Sequence, residues 1–152
     1  MAFRHSMAVR FADVDHAGIV YFARFFDYCH ATLEAFLREH IGARAYADLL
    51  DRDRMGFPAV HTTCRFVGPL RFGDIMNVEL AIERMGRSSI TFAFRVFRQL
   101  DGNHSEGADA RGDPGALCAE GTYIVAVIDL DAFKSIAIPD SLRATFAPLL
   151  AS

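Results

Sequence analysis

Two carboxylates, a histidine and a glycine crowd into Asp13-Val14-Asp15-His16-Ala17-Gly18, directly before the apolar run Ile19-Val20-Tyr21-Phe22. An ionised carboxylate can attack an acyl carbonyl or activate a water against it. Neither role needs a shifted pKa, since an ordinary value near ~4 leaves the group charged at neutral pH. Helical periodicity begins just after this stretch. A helix N-terminus exposes unpaired N–H groups and the positive end of its dipole. Such donors polarise a carbonyl as an oxyanion hole does, a contribution of ~3–4 kcal/mol per good donor. Gly18 lets the backbone approach a ligand closely or adopt a positive φ. The same residues also suit a plain helix entry, with Asp13 or Asp15 as cap and Gly18 as turn. Residue types and spacing alone leave both readings open.

Other reactive side chains carry less. Cys29, Cys64 and Cys118 cannot all pair within one chain, and their spacing matches no zinc pattern. They are expected as buried, apolar thiols in a reducing cytoplasm. His5, His16, His30, His40, His61 and His104 show no ligand spacing, so no metal or other cofactor is expected.

The elements that must position the acidic stretch follow from periodicity. Met7, Val9 and Phe11 alternate over Ser6 to Ala12, which predicts a short strand. A long helix is expected from Val20 to His40, with Phe22, Phe25, Cys29, Leu33 and Phe36 on one stripe and Arg24, Asp27, Glu34 and Arg38 opposite. Gly42 supplies a stop, and Ala43 to Asp53 adds a short helix. From Phe57 the period changes to two. Strands are expected through Val60–Phe66, Met76–Ile82, Ile90–Val96 and Leu117–Leu130. The last is apolar on both faces and should be central. Leu142 to Leu150 should end in a short helix. Residues 101–116 are polar and glycine-rich and are expected to form a mobile loop. One helix with such a stripe cannot bury itself, so the expected architecture is an α+β layer, a five-stranded antiparallel sheet wrapped around the helix. The sheet's outer face then predicts a homo-oligomer, dimer or tetramer.

At 152 residues the chain suits one domain spanning 1–152. Its 52% hydrophobic content excludes intrinsic disorder, and its apolar runs fall short of the ~18 residues a membrane span requires. A net charge of −3 argues against nucleic acid as partner. No apolar stretch of signal-peptide length follows Met1, which again points to the cytoplasm.

The stretch Asp13 to Phe22 resembles the signature of the 4-hydroxybenzoyl-CoA thioesterase family, proteins with the hotdog fold. The resemblance continues through Gly56-Phe57-Pro58-Ala59-Val60, Pro69-Leu70-Arg71-Phe72-Gly73-Asp74, the turn Gly86-Arg87-Ser88-Ser89 and the tail Ile136-Ala137-Ile138-Pro139. It implies hydrolysis of an acyl-CoA thioester, with CoA as part of the substrate. The family's catalytic aspartate falls on Asp15, as nucleophile or general base, with the N–H groups around Val20 and Tyr21 as oxyanion donors. His16 would guide the thioester, Gly18 would let the backbone approach it, and Phe25 would sit beside Tyr21 at the acyl pocket. His61 and Thr62 would meet substrate from a neighbouring subunit. Arg87, Ser88 and Ser89 would meet the CoA phosphates. His30 stands where relatives acting on hydroxybenzoyl groups carry an acidic residue, a departure that argues against 4-hydroxybenzoyl itself. Two alternatives share the fold: a non-catalytic acyl-CoA or carrier-protein binder, and a dehydratase, whose chemistry asks for a paired histidine and acid on the central helix.

Overall fold

Phe25, Tyr28, Cys29, Thr32, Leu33, Phe36 and Leu37 recur at steps of three and four along an 18-residue helix, α1 (Arg24–Ile41), and all are buried. Asp27, His30, Glu34 and Arg38 lie on its exposed side. The computed structural model describes residues 2–100 and 112–151. Gly42 ends α1 at φ 93°, returning its N–H to the Arg38 carbonyl, and α2 (Ala43–Asp51) follows at once. The helix starts later than its apolar period suggests. Val20 is still outside the helix, because it is bridged to Val14 and donates its N–H to the Leu70 carbonyl, and Tyr21 donates its own to the Asp13 carbonyl.

Strands β1 (Phe3–Ala8), β2 (Met55–Gly56), β3 (Ala59–Phe66), β4 (Ile75–Met85), β5 (Ser89–Arg98), β6 (Ala116–Ala126), β7 (Ile128–Asp129) and β8 (Lys134–Ser135) complete the order with α3 (Asp140–Phe146). Five form one antiparallel sheet in the order β1-β4-β5-β6-β3, as expected, while β2, β7 and β8 form a small second sheet that periodicity did not reveal. Val78, Leu80, Phe92, Phe94, Tyr123 and Val125 face α1 and are buried. Phe36 stands edge-to-face against Phe92 at 5.8 Å and meets Phe146 of α3 at 5.7 Å, so the tail helix closes the core.

Three expectations change. The first strand covers Phe3–Ala8 rather than Ser6–Ala12, and Phe11 opens a 3₁₀ turn (Phe11–Asp13). The central strand is β5, not β6, and the expected run to Leu130 breaks at Val127, where the chain leaves for the small sheet. The predicted 101–116 loop falls largely outside the described residues.

The outer face of the sheet is polar. Arg4, Glu79, Arg95, Glu120 and Arg65 stand opposite one another in register across all five strands, alternating in sign. Arg4 and Arg95 both bridge Glu79, at 2.7 and 3.2 Å, and Arg65 bridges Glu120. Gly121 lets β3 lie close to β6, since a Cβ there would stand 1.9 Å from the Thr63 carbonyl oxygen.

Candidate active site

The acidic stretch folds into a tight hairpin closed by the Val14–Val20 bridge. Asp15 N–H donates to the Ile19 carbonyl at 3.0 Å, and Gly18 N–H donates to the Asp15 carbonyl at 2.9 Å, with Gly18 at φ 80°. That positive φ suits glycine, which has no Cβ to clash there. Asp15 is exposed at the start of this loop, and its Oδ1 accepts the Ala17 N–H at 2.8 Å. One carboxylate oxygen is therefore held and the other is left for a reactant.

The open N–H donors at the helix start are not those expected. Val20 N–H is spent on the Leu70 carbonyl at 2.8 Å and Tyr21 N–H on the Asp13 carbonyl at 2.9 Å, so neither can bind an oxyanion. Arg24, Phe25 and Phe26 return their N–H groups to Tyr21, Phe22 and Ala23. Among the described residues, the N–H groups of Phe22 and Ala23 have no partner, and no side chain caps α1. The open positive end of the helix thus lies one residue beyond Tyr21. Phe22 belongs to the quoted motif, but only the hydrogen bonding separates it from its neighbours.

Asp13 is buried and ties the hairpin to the helix. Its Oδ2 accepts the Arg10 N–H at 3.0 Å, and its Oδ1 meets the guanidinium of Arg10 at 3.2 Å and of Arg24 at 3.9 Å. Burial alone would raise its pKa. The Arg10 N–H, the Tyr28 hydroxyl and the Arg10 charge outweigh that and hold it below the usual carboxylate range. The Tyr28 hydroxyl is itself buried, facing this carboxylate outside ordinary hydrogen-bond geometry, and burial followed by the Asp13 charge pushes its pKa up. Asp13 therefore positions the loop and is not available to substrate.

Aromatic surface surrounds the hairpin. Tyr21 and Phe22 are exposed with rings 4.8 Å apart, and Phe22 meets the exposed Phe66 edge-on at 6.3 Å. Phe25, expected at the pocket, is buried and backs Phe66 at 5.2 Å. Phe66 and Val67 escaped sequence reading because alternation on β3 gives no sign that its helix-facing end is left uncovered.

The chain matches the model of the thioesterase-like superfamily over residues 9–146. It is 32% identical over 109 residues to a 1,4-dihydroxy-2-naphthoyl-CoA hydrolase of Synechococcus elongatus, covering 72% of this chain and 76% of that one. The chain belongs to the thioesterase-like superfamily. Its fold resembles a thioesterase superfamily protein of Jannaschia sp. (27% identical, TM-score 0.80, covering 99% and 94% of the two chains). It also resembles a gentisyl-coenzyme A thioesterase (26% identical, TM-score 0.74, covering 95% and 98%). The hotdog fold expected from the sequence and the reaction class of a thioester hydrolase both stand.

Within this thioesterase fold the remaining expected residues lie apart. His16 is exposed on the hairpin beside Asp15. His30 is on the solvent side of α1, its Nε2 3.2 Å from the Glu34 carboxylate. Thr62 shares the helix side of β3 with Cys64 and Phe66, whereas His61 pairs with Ile124 on the outer face. Arg87, Ser88 and Ser89 sit at the β4–β5 turn. The hairpin packs at the other end of β4, so the 11 residues of that strand, about 33 Å, separate the two within one protomer. The carbonyls of that turn are taken: Arg87 accepts from Ile138 and Ser88 from Val127, both at 2.8 Å.

Thiol chemistry is absent from the hairpin. Cys29 is fully buried, and burial, then Cys64, pushes its pKa up to about 12. Burial likewise raises Cys64 and Cys118, which keeps all three protonated and poorly nucleophilic. Among the described residues no group of histidine, cysteine and carboxylate side chains could hold a metal, and no helix is long and apolar enough to cross a membrane. A groove of about 640 Å³ lies on the sheet's outer face between Thr63, Arg65, Glu79, Ala93 and Thr122. None of its lining residues belongs to the hairpin.

Proposed function

We propose that this protein hydrolyses the thioester of an acyl-CoA, with Asp15 as the reacting carboxylate and the Phe22 and Ala23 N–H groups as the oxyanion donors. The observation that carries the reading is the pairing of an exposed carboxylate, anchored through one oxygen only, with an uncapped helix start just past the hairpin that holds it. Attack by Asp15 on the thioester carbonyl forms an acyl anhydride with the enzyme and expels the CoA thiolate, and water then releases the acid. Attack by an Asp15-activated water reaches the same products in one displacement. In both routes negative charge grows on the carbonyl oxygen, where helix N–H donors stabilise it more than the ground state.

The exposed rings of Tyr21, Phe22 and Phe66 favour a flat, aromatic acyl group. Relatives named for naphthoyl-CoA and gentisyl-CoA support that class. The working unit is a homo-oligomer. β3 is an edge strand with Val60 59% and Phe66 48% exposed and Val67, just past its end, 47% exposed, an unpaired and apolar rim that a second copy would cover. Such a neighbour is also the route by which His61, or Arg87 with Ser88 and Ser89, could reach a substrate at this hairpin.

The test is thiol release from aryl-, short-chain and long-chain acyl-CoAs. Asp15→Asn should fold normally and lose most turnover. Wild-type turnover in that variant refutes the role of Asp15. Acyl-CoA binding without thiol release by the wild type would instead establish the non-catalytic alternative.

A further inference from the structure

Two hydroxyls lie on the buried stripe of α1. Thr32 Oγ1 donates to the Tyr28 carbonyl at 2.8 Å, inside the helix. The Tyr28 hydroxyl has no partner in ordinary hydrogen-bond geometry among the described residues, although Tyr28 is only 4% exposed. A buried hydroxyl left unpaired is costly. Phenylalanine would fill the same space without that cost, since the Tyr28 ring stands edge-on to Phe25 at 5.9 Å and the stripe already carries Phe25 and Phe36. Packing therefore accounts for the ring and leaves the oxygen unexplained.

That oxygen faces the buried carboxylate of Asp13, the residue from which both halves of the site hang. The Asp13 carbonyl accepts the Tyr21 N–H at 2.9 Å, one residue before the open N–H of Phe22, and Asp15 follows Asp13 by two residues. On the hairpin side the Asp13 carboxylate is held closely, by the Arg10 N–H at 3.0 Å and the Arg10 guanidinium at 3.2 Å. On the helix side it is held loosely. Arg24 Nε stands 3.9 Å away, and that guanidinium is 39% exposed and shared with Asp27 at 3.2 Å. Tyr28 lies one turn further along α1 and is buried, so its hydroxyl can tie Asp13 to the helix without competition from water.

We propose that Tyr28 is a positioning residue for the thioesterase reaction. Its hydroxyl donates to the Asp13 carboxylate when acyl-CoA is bound, and so sets the Asp15 carboxylate against the Phe22 and Ala23 N–H groups. Contacts that are long or misaligned in the free enzyme tighten in this way as the reacting complex forms. Tyr28 is buried behind Asp13, so its effect falls on the geometry of attack and not on substrate affinity. Misplacing reacting groups by ~1 Å costs about 10²-fold; loss of one of several links to Asp13 should cost less, about ten-fold. The proposal rests on the acyl-CoA reading above.

Tyr28→Phe removes the oxygen and keeps the ring. Its kcat for an acyl-CoA should fall about ten-fold, with KM changed by less than about two-fold. Asp13→Asn with Tyr28→Phe should lose less than the product of the two single losses, as groups acting as a unit do. A second readout needs no turnover. The chain has four tyrosines, and labelling with 3-fluorotyrosine lets the Tyr28 fluorine resonance be assigned as the one missing from Tyr28→Phe. That resonance should shift when S-benzyl-CoA, an uncleavable thioether, is added to the wild type, and should shift less in Asp13→Asn. Wild-type kcat in Tyr28→Phe, with or without a lower Tm, overturns the proposal. So does a loss carried by KM alone, a full product in the double variant, or a Tyr28 resonance indifferent to the thioether. The two readings fail separately: a wild type that releases no thiol from any acyl-CoA refutes the hydrolase reading, whereas thiol release at equal rates by wild type and Tyr28→Phe refutes the positioning role alone.

Discussion

Replacing Asp13 with asparagine should destabilise the protein without touching any group that meets substrate. The carboxylate is fully buried and accepts one backbone N–H, that of Arg10, at 3.0 Å. Loss of a side-chain acceptor of this capping kind costs ~0.5–2 kcal/mol. Its ion pairs add little, because the Arg10 and Arg24 side chains are 69% and 39% exposed, and pairs with a solvated partner are worth ~0–1 kcal/mol. Asparagine keeps one acceptor oxygen but turns an amide donor toward two guanidinium groups. The expected loss is about 1–2 kcal/mol, which for a chain of this size lowers Tm by about 2–8 °C. The pH dependence has a definite sign. The folded-state pKa of Asp13 is depressed. Its contribution is therefore present above the unfolded value near ~4 and is lost as pH falls through the lower, folded value. Urea unfolding of both proteins from pH 7 to pH 3 should show a full gap in midpoint at pH 7 that closes in the acid range. Equal midpoints at pH 7, or a gap that widens in acid, would refute the assignment of Asp13 as a charged, loop-positioning group.

Three further outcomes follow from the geometry. Phe22→Pro deletes a free N–H that Phe22→Ala retains, so kcat should be lower in the proline variant by about 10²-fold; equal kcat values would remove Phe22 from the oxyanion site. Gly121→Ala places a Cβ 1.9 Å from the Thr63 carbonyl oxygen and must push β3 from β6, at a cost of about 1–3 kcal/mol or more. An unchanged melting temperature would show that the strands yield freely there. Phe66→Glu puts charge on the exposed rim of β3 and should shift sedimentation from an oligomer toward the 16.9 kDa monomer; an oligomer of unchanged size places the subunit contact elsewhere.

The helix and strands were legible because their burial is periodic. The buried stripe of α1 is nearly the one its spacing predicts, and the inward residues of β4 and β5 alternate as read. Boundaries were less legible where an apolar residue serves two masters. Val20 and Phe22 continue the helical period, yet Val20 N–H goes to the Leu70 carbonyl, 50 residues away, and that long-range bond keeps Val20 in a β-bridge, so the helix opens only at Arg24. The strand expected through Phe11 failed for a similar reason: Asp13 draws Arg10 into a closed turn and Phe11 swings outward. His61 and Thr62, adjacent in sequence, land on opposite faces of β3, so only one can share a face with α1.

The amino-acid sequence by itself determined the architecture and the acidic stretch that precedes the helix. Hydrophobic period is a local property, and Asp15 sits in a recognisable acidic stretch ahead of the helix. Tertiary structure alone decided which N–H groups are open and which of two aspartates is buried. Hydrogen-bond satisfaction and burial depend on partners far apart in the chain, and no local pattern of residue types encodes them.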